Sequence, residues 1–350
     1  MPELRLDPVT GRWVLVATER AKRPKDFAQH DAAGLKVPPG HSDACPFCPG
    51  NERQTPPEIF SFRRDGTGPD EPGWWVRGVP NKYPALTWEP TVKPSTSGVF
   101  SVRPATGAHE VIIESPLHNV SPATMTHDDM AEVVRAYVHR YRALASADDI
   151  RYILIFRNHG RDAGASLEHP HSQIAGVPLV PPVVLEEIAG ARQHQETTGR
   201  CVFCDMVRQE LDASARMVLE TREFVALEPY ASKMPFETWV LPKAHTPSFH
   251  ELDPSRHHEL AGVLVDVLGA ISRGLHDPPY NYILHTAPPR ERCDGFYHWH
   301  IEIFPKLTVA AGFEFGMGVY INITTPETAA EFLRNCIQAR DPGRNSGAQG

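Results

Sequence analysis

The 350-residue chain lacks an excess of positive charge: 35 basic residues stand against 43 acidic ones, a formal balance of −8. That excludes a nucleic-acid binder working through phosphate charge alone. It also lacks any apolar run approaching the ~18 residues of a membrane span, so a membrane is not an expected partner either. Met1-Pro2-Glu3-Leu4-Arg5 has no apolar stretch of the signal-peptide kind, and a cytoplasmic compartment is expected. Cysteine is scarce at six residues, which in a reducing compartment argues against a disulfide framework. With 41% hydrophobic and 22% charged residues, the chain has material for a soluble core. Its length suits about two domains.

Two residue types are abundant. Proline numbers 34, about twice ordinary usage, and histidine 18. Excess histidine in an acidic chain points to metal or to acid–base and nucleophilic chemistry. Four of the six cysteines form two CxxC pairs, Cys45/Cys48 and Cys201/Cys204. Each pair supplies half of a tetrahedral metal site, and histidines are expected to supply the rest. A redox CxxC would need a βαβ context and a helix-start thiolate. Pro46 and Pro49 instead bracket a tight knuckle.

The chain repeats itself. Val111-Ile112-Ile113-Glu114-Ser115-Pro116-Leu117-His118 and Trp239-Val240-Leu241-Pro242-Lys243-Ala244-His245 are β-rich runs ending in a proline and then a histidine. Each precedes an amphipathic helix, one with Met130, Val133, Val134, Tyr137, Tyr141 and Leu144 on a face, the other with Leu260, Val263, Leu264, Val267, Leu268 and Ile271. Asp253 and Pro254 read as the cap and first turn of the second. A further β run follows each helix (152–156 and 282–284) and leads to a histidine pair, His169/His171 and His298/His300. His118 and His169 lie 51 positions apart, His245 and His298 lie 53 apart, and the first half carries extra Pro/Gly-rich sequence between Asn51 and Phe100, expected as loop with short strands. Two Cys₂His₂ sets result: Cys45, Cys48, His118, His169 and Cys201, Cys204, His245, His298. The plain alternative leaves His118 and His245 as surface histidines.

Strand alternation puts His169, His171 and Gln173 on one face, and His298, His300 and Glu302 on one face of the second copy. A metal on His169 would hold His171 rigid, and a neutral imidazole is a competent nucleophile toward phosphorus. Gln173 cannot protonate a leaving group, but its amide can hold a phosphoryl oxygen. The site therefore suits a leaving group that departs unprotonated, such as a sugar phosphate. Glu302 would repel phosphate, so the second strand is expected to be structural or substrate-supporting. The Gly-containing turn from Asn158 to Ser166 is either an ordinary hairpin or a source of phosphate donors.

His169-Pro170-His171-Ser172-Gln173, behind Cys45/Cys48 and with a degenerate second copy, resembles the galactose-1-phosphate uridylyltransferases of the histidine-triad superfamily, over Arg12 to about Leu333. The resemblance implies an α+β fold of two tandem histidine-triad-like lobes, antiparallel half-barrel sheets with packed helices. The expected division is 1–177 catalytic lobe, 178–200 crossover and linking helix (helical from Leu185 to about Gln195), 201–338 second lobe and 339–350 disordered tail. It implies ping-pong transfer of UMP from UDP-glucose to galactose 1-phosphate through uridylyl-His171, with Gln173 catalytic. Arg20, Arg23, Asn81, Asn158, Ser166 and Gln173 are then substrate-binding. Zinc is expected in each half, with iron an alternative in the second, and so is a homodimer with shared active sites. Some relatives build the second metal site from a glutamate and three histidines, here Glu187, His285, His298 and His300. The thiolate pair favours Cys201, Cys204, His245 and His298 instead. Ile321, in Tyr320-Ile321-Asn322, stands where some relatives carry a hexose-binding glutamate. ADP-glucose phosphorylases share Gly312-Phe313-Glu314 and Tyr320-Ile321-Asn322, but tend to lose the proline that Pro170 retains. An ADP-glucose phosphorylase using phosphate as acceptor is the alternative activity. A zinc-ribbon binding module is the alternative class, disfavoured because no long basic run flanks either CxxC.

Overall fold

A computed structural model describes residues 1–17 and 39–339. Its strands are β1 (Glu3–Leu6), β2 (Trp13–Val16), β3 (Phe60–Arg63), β4 (Trp74–Pro80), β5 (Ser95–Ser97), β6 (Phe100–Val102), β7 (Ala108–Ile113), β8 (Tyr152–His159), β9 (His171–Val177), β10 (Met217–Glu220), β11 (Phe224–Leu227), β12 (Thr238–Pro242), β13 (Tyr280–His285), β14 (His300–Pro305) and β15 (Tyr320–Asn322). The helices are α1 (His127–Ala145), α2 (Pro182–Thr198), α3 (Val202–Ala213), α4 (His257–Leu275), α5 (Gly312–Met317) and α6 (Pro326–Gln338).

Ten strands form one sheet in the order β10-β11-β12-β14-β13-β8-β9-β7-β4-β3, and every neighbouring pair is antiparallel. The fold is thus mixed α+β with a large antiparallel sheet. The two sequence halves meet edge to edge where β8 pairs β13, from Tyr280↔His159 to Leu284↔Ile155. Each half brings an edge with unmet backbone groups, and pairing satisfies both. β5 and β6 form a separate hairpin, while β15 adds to β2 in parallel beside β1.

One face of the sheet is apolar. Ile112, Ile153, Ile155, Ile174, Leu284, Ile301 and Ile303 pack against the apolar stripes of α1 and α4, all six expected residues of each stripe being buried. Burying a side chain of this size is worth about 1.5–3 kcal/mol, so this layer dominates cohesion. Thr126 caps α1 by accepting from the Asp129 N–H. The expected cap of α4 sits elsewhere: Asp253 caps a 3₁₀ turn over Pro254–Arg256, and α4 itself starts at His257. Asp253 accepts from Ser255 N, which spends its oxygen one turn too early. The linking helix runs longer than expected, from Pro182 to Thr198, closed by left-handed Gly199. Thr325 caps α6 as expected. The stretch from Asn51 to Phe100 includes a seven-residue strand, β4, that pairs β7 in the main sheet. No helix among the described residues is long and apolar enough to cross a membrane.

The other face is covered unevenly. In the second half α2 and α3 lie over it, burying Val184, Ile188, Val202 and Phe203 against Trp239 and Leu241. In the first half the Cys45–Cys48 knuckle and Phe47 pack with Val79, Val111 and Ile113 at one end. His171 and Gln173 of β9, paired with Ile113 and Val111, face this less covered side.

Candidate active site and its metal-ligand clusters

In the first half, the ligand atoms of Cys45, Cys48, His118 and His169 all lie within 4.8 Å of one another. Cys48 Sγ is 3.5 Å from Nδ1 of both His118 and His169. The His169 Nε2–H donates to the Ser115 carbonyl at 2.8 Å, so the Nδ1 lone pair is the one turned to the thiols. The knuckle is tied by Asn51, whose amide donates to the carbonyls of Ser42, Asp43 and Cys45. Burial pushes the Cys45 thiol up to about 11 and the His169 imidazole down to about 4. The donor set fits a borderline-soft dication such as zinc, which would hold the thiols as thiolates.

The second half repeats the arrangement. Cys201, Cys204, His245 and His298 meet the same distance limit. Cys204 Sγ lies 3.4 Å from His245 Nδ1 and 3.6 Å from His298 Nδ1. The His298 Nε2–H donates to the Pro242 carbonyl at 2.9 Å, the counterpart of Ser115. Hydrogen bonding to Cys204, His245 and His298 pulls the Cys201 thiol well below its ordinary range.

Glu187, His285 and His300 form a third, buried group. His285 Nδ1 pairs with Glu187 Oε1 at 2.9 Å, and Tyr297 donates its hydroxyl to Glu187 at 2.6 Å. Glu302 lies 3.5 Å from His285 Nε2 and 3.8 Å from Lys233 Nζ. Burial lowers the His285 pKa, but Glu187 and Glu302 outweigh it and raise the ring to about 9. The charges here are mutually paired. His298 therefore joins the cysteines, while the other three residues of the glutamate-and-histidine pattern gather separately.

His171 opens β9 beside the first cluster. Its Nδ1–H donates to the His169 carbonyl at 2.8 Å, so in the neutral ring the lone pair is on Nε2. Burial pushes the ring down to about 4, keeping it neutral. Phe47 packs against it with ring centroids 5.3 Å apart. Below the strand, on the helix side, Arg157 Nη1 donates to the His171 carbonyl at 2.8 Å and to Glu114 at 2.5 Å. Tyr137 donates to the same carboxylate. β8 and β9 pair only as far as Phe156↔Gln173. Beyond that fork the guanidinium supplies the donor that a neighbouring strand would otherwise provide.

Gln173 lies on the face of His171, with its Oε1 2.8 Å from His109 Nε2 and 3.3 Å from Asn81 Nδ2. Asn81 is thus brought to Gln173. Asn158 accepts from Asn281 at 2.8 Å, a contact across the joint between the halves. Ser166 is exposed on the loop from Gly160 to Pro170, where Gly160 and Gly164 take positive φ of 78° and 89°. A Cβ on Gly160 would also meet Pro279 at 3.0 Å. Arg20 and Arg23 lie outside the described residues, as does the tail expected to be disordered over 339–350 apart from Ala339, which closes α6 by donating its N–H to the Asn335 carbonyl.

Sequence reasoning missed His109, Phe47 and the Arg157–Glu114 pair. Counting back two positions from Val111 on its strand reaches His109. An arginine directly after the apolar run 152–156 was the signal for a buried charge. Phe47 had no signal beyond its place inside the knuckle.

Comparison with known proteins places this geometry. The sequence profile of galactose-1-phosphate uridyl transferase, N-terminal domain, matches residues 1–181, and that of its C-terminal domain matches 187–340. An ADP-glucose phosphorylase of Arabidopsis thaliana is 38% identical over 339 residues, covering 95% of this chain and 92% of the relative. A galactose-1-phosphate uridylyltransferase of Thermotoga maritima is 31% identical over 345 residues, covering 95% and 98%. The crystal structure of an Arabidopsis thaliana ADP-glucose phosphorylase with bound ADP-glucose superposes with TM-score 0.78 at 34% identity, covering 95% and 99%. The chain belongs to the galactose-1-phosphate uridyl transferase family and is an enzyme of the nucleotidyltransferase type.

Proposed function

We propose that this enzyme moves a nucleoside monophosphate from a nucleoside-diphosphate hexose to a phosphate-bearing acceptor through a covalent His171 intermediate. The observation that carries the reading is the His171 ring, bonded through Nδ1 to the His169 carbonyl and left with Nε2 as its free nucleophile. In the first step Nε2 bonds to the α-phosphorus as the bond to the bridging oxygen breaks, and hexose 1-phosphate leaves as an anion that needs no proton. In the second step an acceptor phosphate oxygen takes the phosphorus and frees the imidazole. The amide of Gln173 donates to a nonbridging oxygen as charge builds there in the transition state of each step. Asn81, Asn158 and Ser166, with Arg20 and Arg23, complete the substrate contacts. The eight cysteine and histidine ligands would hold zinc, iron being the alternative in the second half, and the first ion would stiffen the His169 end of the strand. UDP-glucose and galactose 1-phosphate are the substrate pair, which makes this a step of galactose metabolism.

The remaining features of this reading are a duplicated histidine-triad-like unit, divided at 1–177 and 201–338 around a 178–200 crossover, and a cytoplasmic homodimer with shared sites. A second reading, phosphorolysis of ADP-glucose, is favoured by Ile321 in the place of a hexose-binding glutamate and by the 38% identity to the Arabidopsis thaliana phosphorylase.

Incubation with [α-³²P]UDP-glucose or [α-³²P]ADP-glucose, followed by alkaline denaturing electrophoresis, tests both. The expected result is label on His171 from at least one donor, discharged by galactose 1-phosphate under the first reading or by phosphate under the second. Absence of label from both donors overturns the covalent mechanism.

A further inference from the structure

We infer that His109 is a positioning residue for Gln173: it holds the amide with its NH₂ turned to the phosphoryl group. The inference rests on the transfer proposed above. His109 lies opposite Ala175 and Val111 opposite Gln173, so His109 shares the catalytic face and sits diagonally beside Gln173. The Ala85 N–H donates to His109 Nδ1 at 3.0 Å. Nδ1 is therefore the acceptor, and the ring proton resides on Nε2. That Nε2–H donates to Gln173 Oε1 at 2.8 Å. Asn81 Nδ2 converges on the same oxygen at 3.3 Å, its own orientation fixed because Asn81 Oδ1 accepts from the Tyr83 N–H at 2.9 Å. Turning the Gln173 amide over would set its NH₂ against two donors and lose both bonds. The amide thus offers both its N–H groups away from the 81–85 loop. The 81–85 loop and strand β9 become one hydrogen-bonded chain, from Ala85 through His109 to Gln173.

The second half supports this by contrast. Trp239 lies opposite Glu302 as Val111 lies opposite Gln173, so the counterpart of His109, two positions back, is Glu237. Glu237 accepts from the Trp239 indole at 3.0 Å and from the Lys233 N–H. A carboxylate has no donor end to orient, and at the position equivalent to His109 the second half carries the carboxylate of Glu237 instead of an imidazole.

The test measures single-turnover labelling of His171 by the α-³²P donors in wild type, His109→Ala, His109→Gln, Gln173→Ala and the double alanine variant, each checked for metal content. Loss of one transition-state donor typically costs about 10²–10³ in rate, and freeing rather than deleting it should cost His109→Ala about ten- to a hundredfold. Donor concentration at half-saturation should stay within about threefold, since the interaction is made in the transition state. His109→Gln, whose amide can accept from Ala85 and donate to Gln173, should recover most of the loss. The double variant should be no slower than Gln173→Ala, because His109 acts through Gln173. Labelling of His109→Ala within about twofold of wild type, or rate losses that multiply in the double variant, overturns the inference. A wild-type protein that takes no label from either donor overturns the proposed function and this inference together, a result distinct from the former two.

Discussion

The two halves of the sheet present the same local geometry in different surroundings. In both, the second histidine of the pair bonds through Nδ1 to the carbonyl of the first: His171 to His169 at 2.8 Å, and His300 to His298 at 3.1 Å. In both, the first histidine joins a Cys₂His₂ cluster and donates its Nε2–H to a carbonyl at or just past the end of the adjacent strand, Ser115 after β7 and Pro242 in β12. The difference lies in what surrounds the second ring. His300 is fully buried, stacked between Trp239 at 4.8 Å and His285 at 4.9 Å under α2 and α3, with Glu302 beside it. His171 retains 7% exposure and faces an amide. Pinning an imidazole is thus a property of the repeated strand. Reactivity toward a phosphate requires access and a neighbour that does not repel anions.

Substituting the two rings should separate these properties most sharply. His171→Ala is expected to abolish covalent labelling while the protein keeps its circular dichroism and metal, whereas His300→Ala keeps a labelled His171. Equal loss in both variants would break the comparison. Next, Gln173→Glu gives the first half the residue of the second. A carboxylate facing the transferring phosphate should slow labelling about a hundredfold or more, and Gln173→Ala should be less damaging than Gln173→Glu. Metal analysis sharpens the same contrast. His169→Ala and His298→Ala should each lose about one equivalent of metal, but only His169→Ala should lose nucleotidyl transfer in proportion.

Below these come effects on stability alone. Arg157→Met leaves the Glu114 carboxylate buried without its partner, which should cost about 3–5 kcal/mol in chemical denaturation. The double variant with Glu114→Gln should recover much of that, since removing both charges is often near neutral. The smallest effect concerns the two equivalent helices. Thr126→Ala should cost about 1 kcal/mol through the lost α1 cap. Asp253→Ala should cost less, because Asp253 caps only the preceding 3₁₀ turn; comparing the two midpoints measures the difference.

Much of this was legible in the chain. The donor sets, the helical stripes and the alternation of His169, His171 and Gln173 were read from spacing, because each depends on local periodicity or on the chemistry of the side chain. The cap of α4 was misplaced by one turn, since a cap depends on where the chain actually enters the helix. The linking helix was underestimated because its N-terminus is set by Pro182 rather than by an apolar pattern. His109 went unnoticed because its role exists only once β7 lies beside β9.

The residues by themselves determined two thiol–imidazole sets, two amphipathic helices and a paired-histidine strand with an amide two positions on. These follow from side-chain chemistry and from the periods of helix and strand, which are properties of neighbouring positions. Only the tertiary structure decided that the halves join at β8 and β13, that His298 joins the thiols while His300 is stacked away among Glu187 and His285, and that Arg157 underpins the catalytic strand. Each of those outcomes depends on groups more than ten positions apart, and on which of several competing partners burial brings within reach.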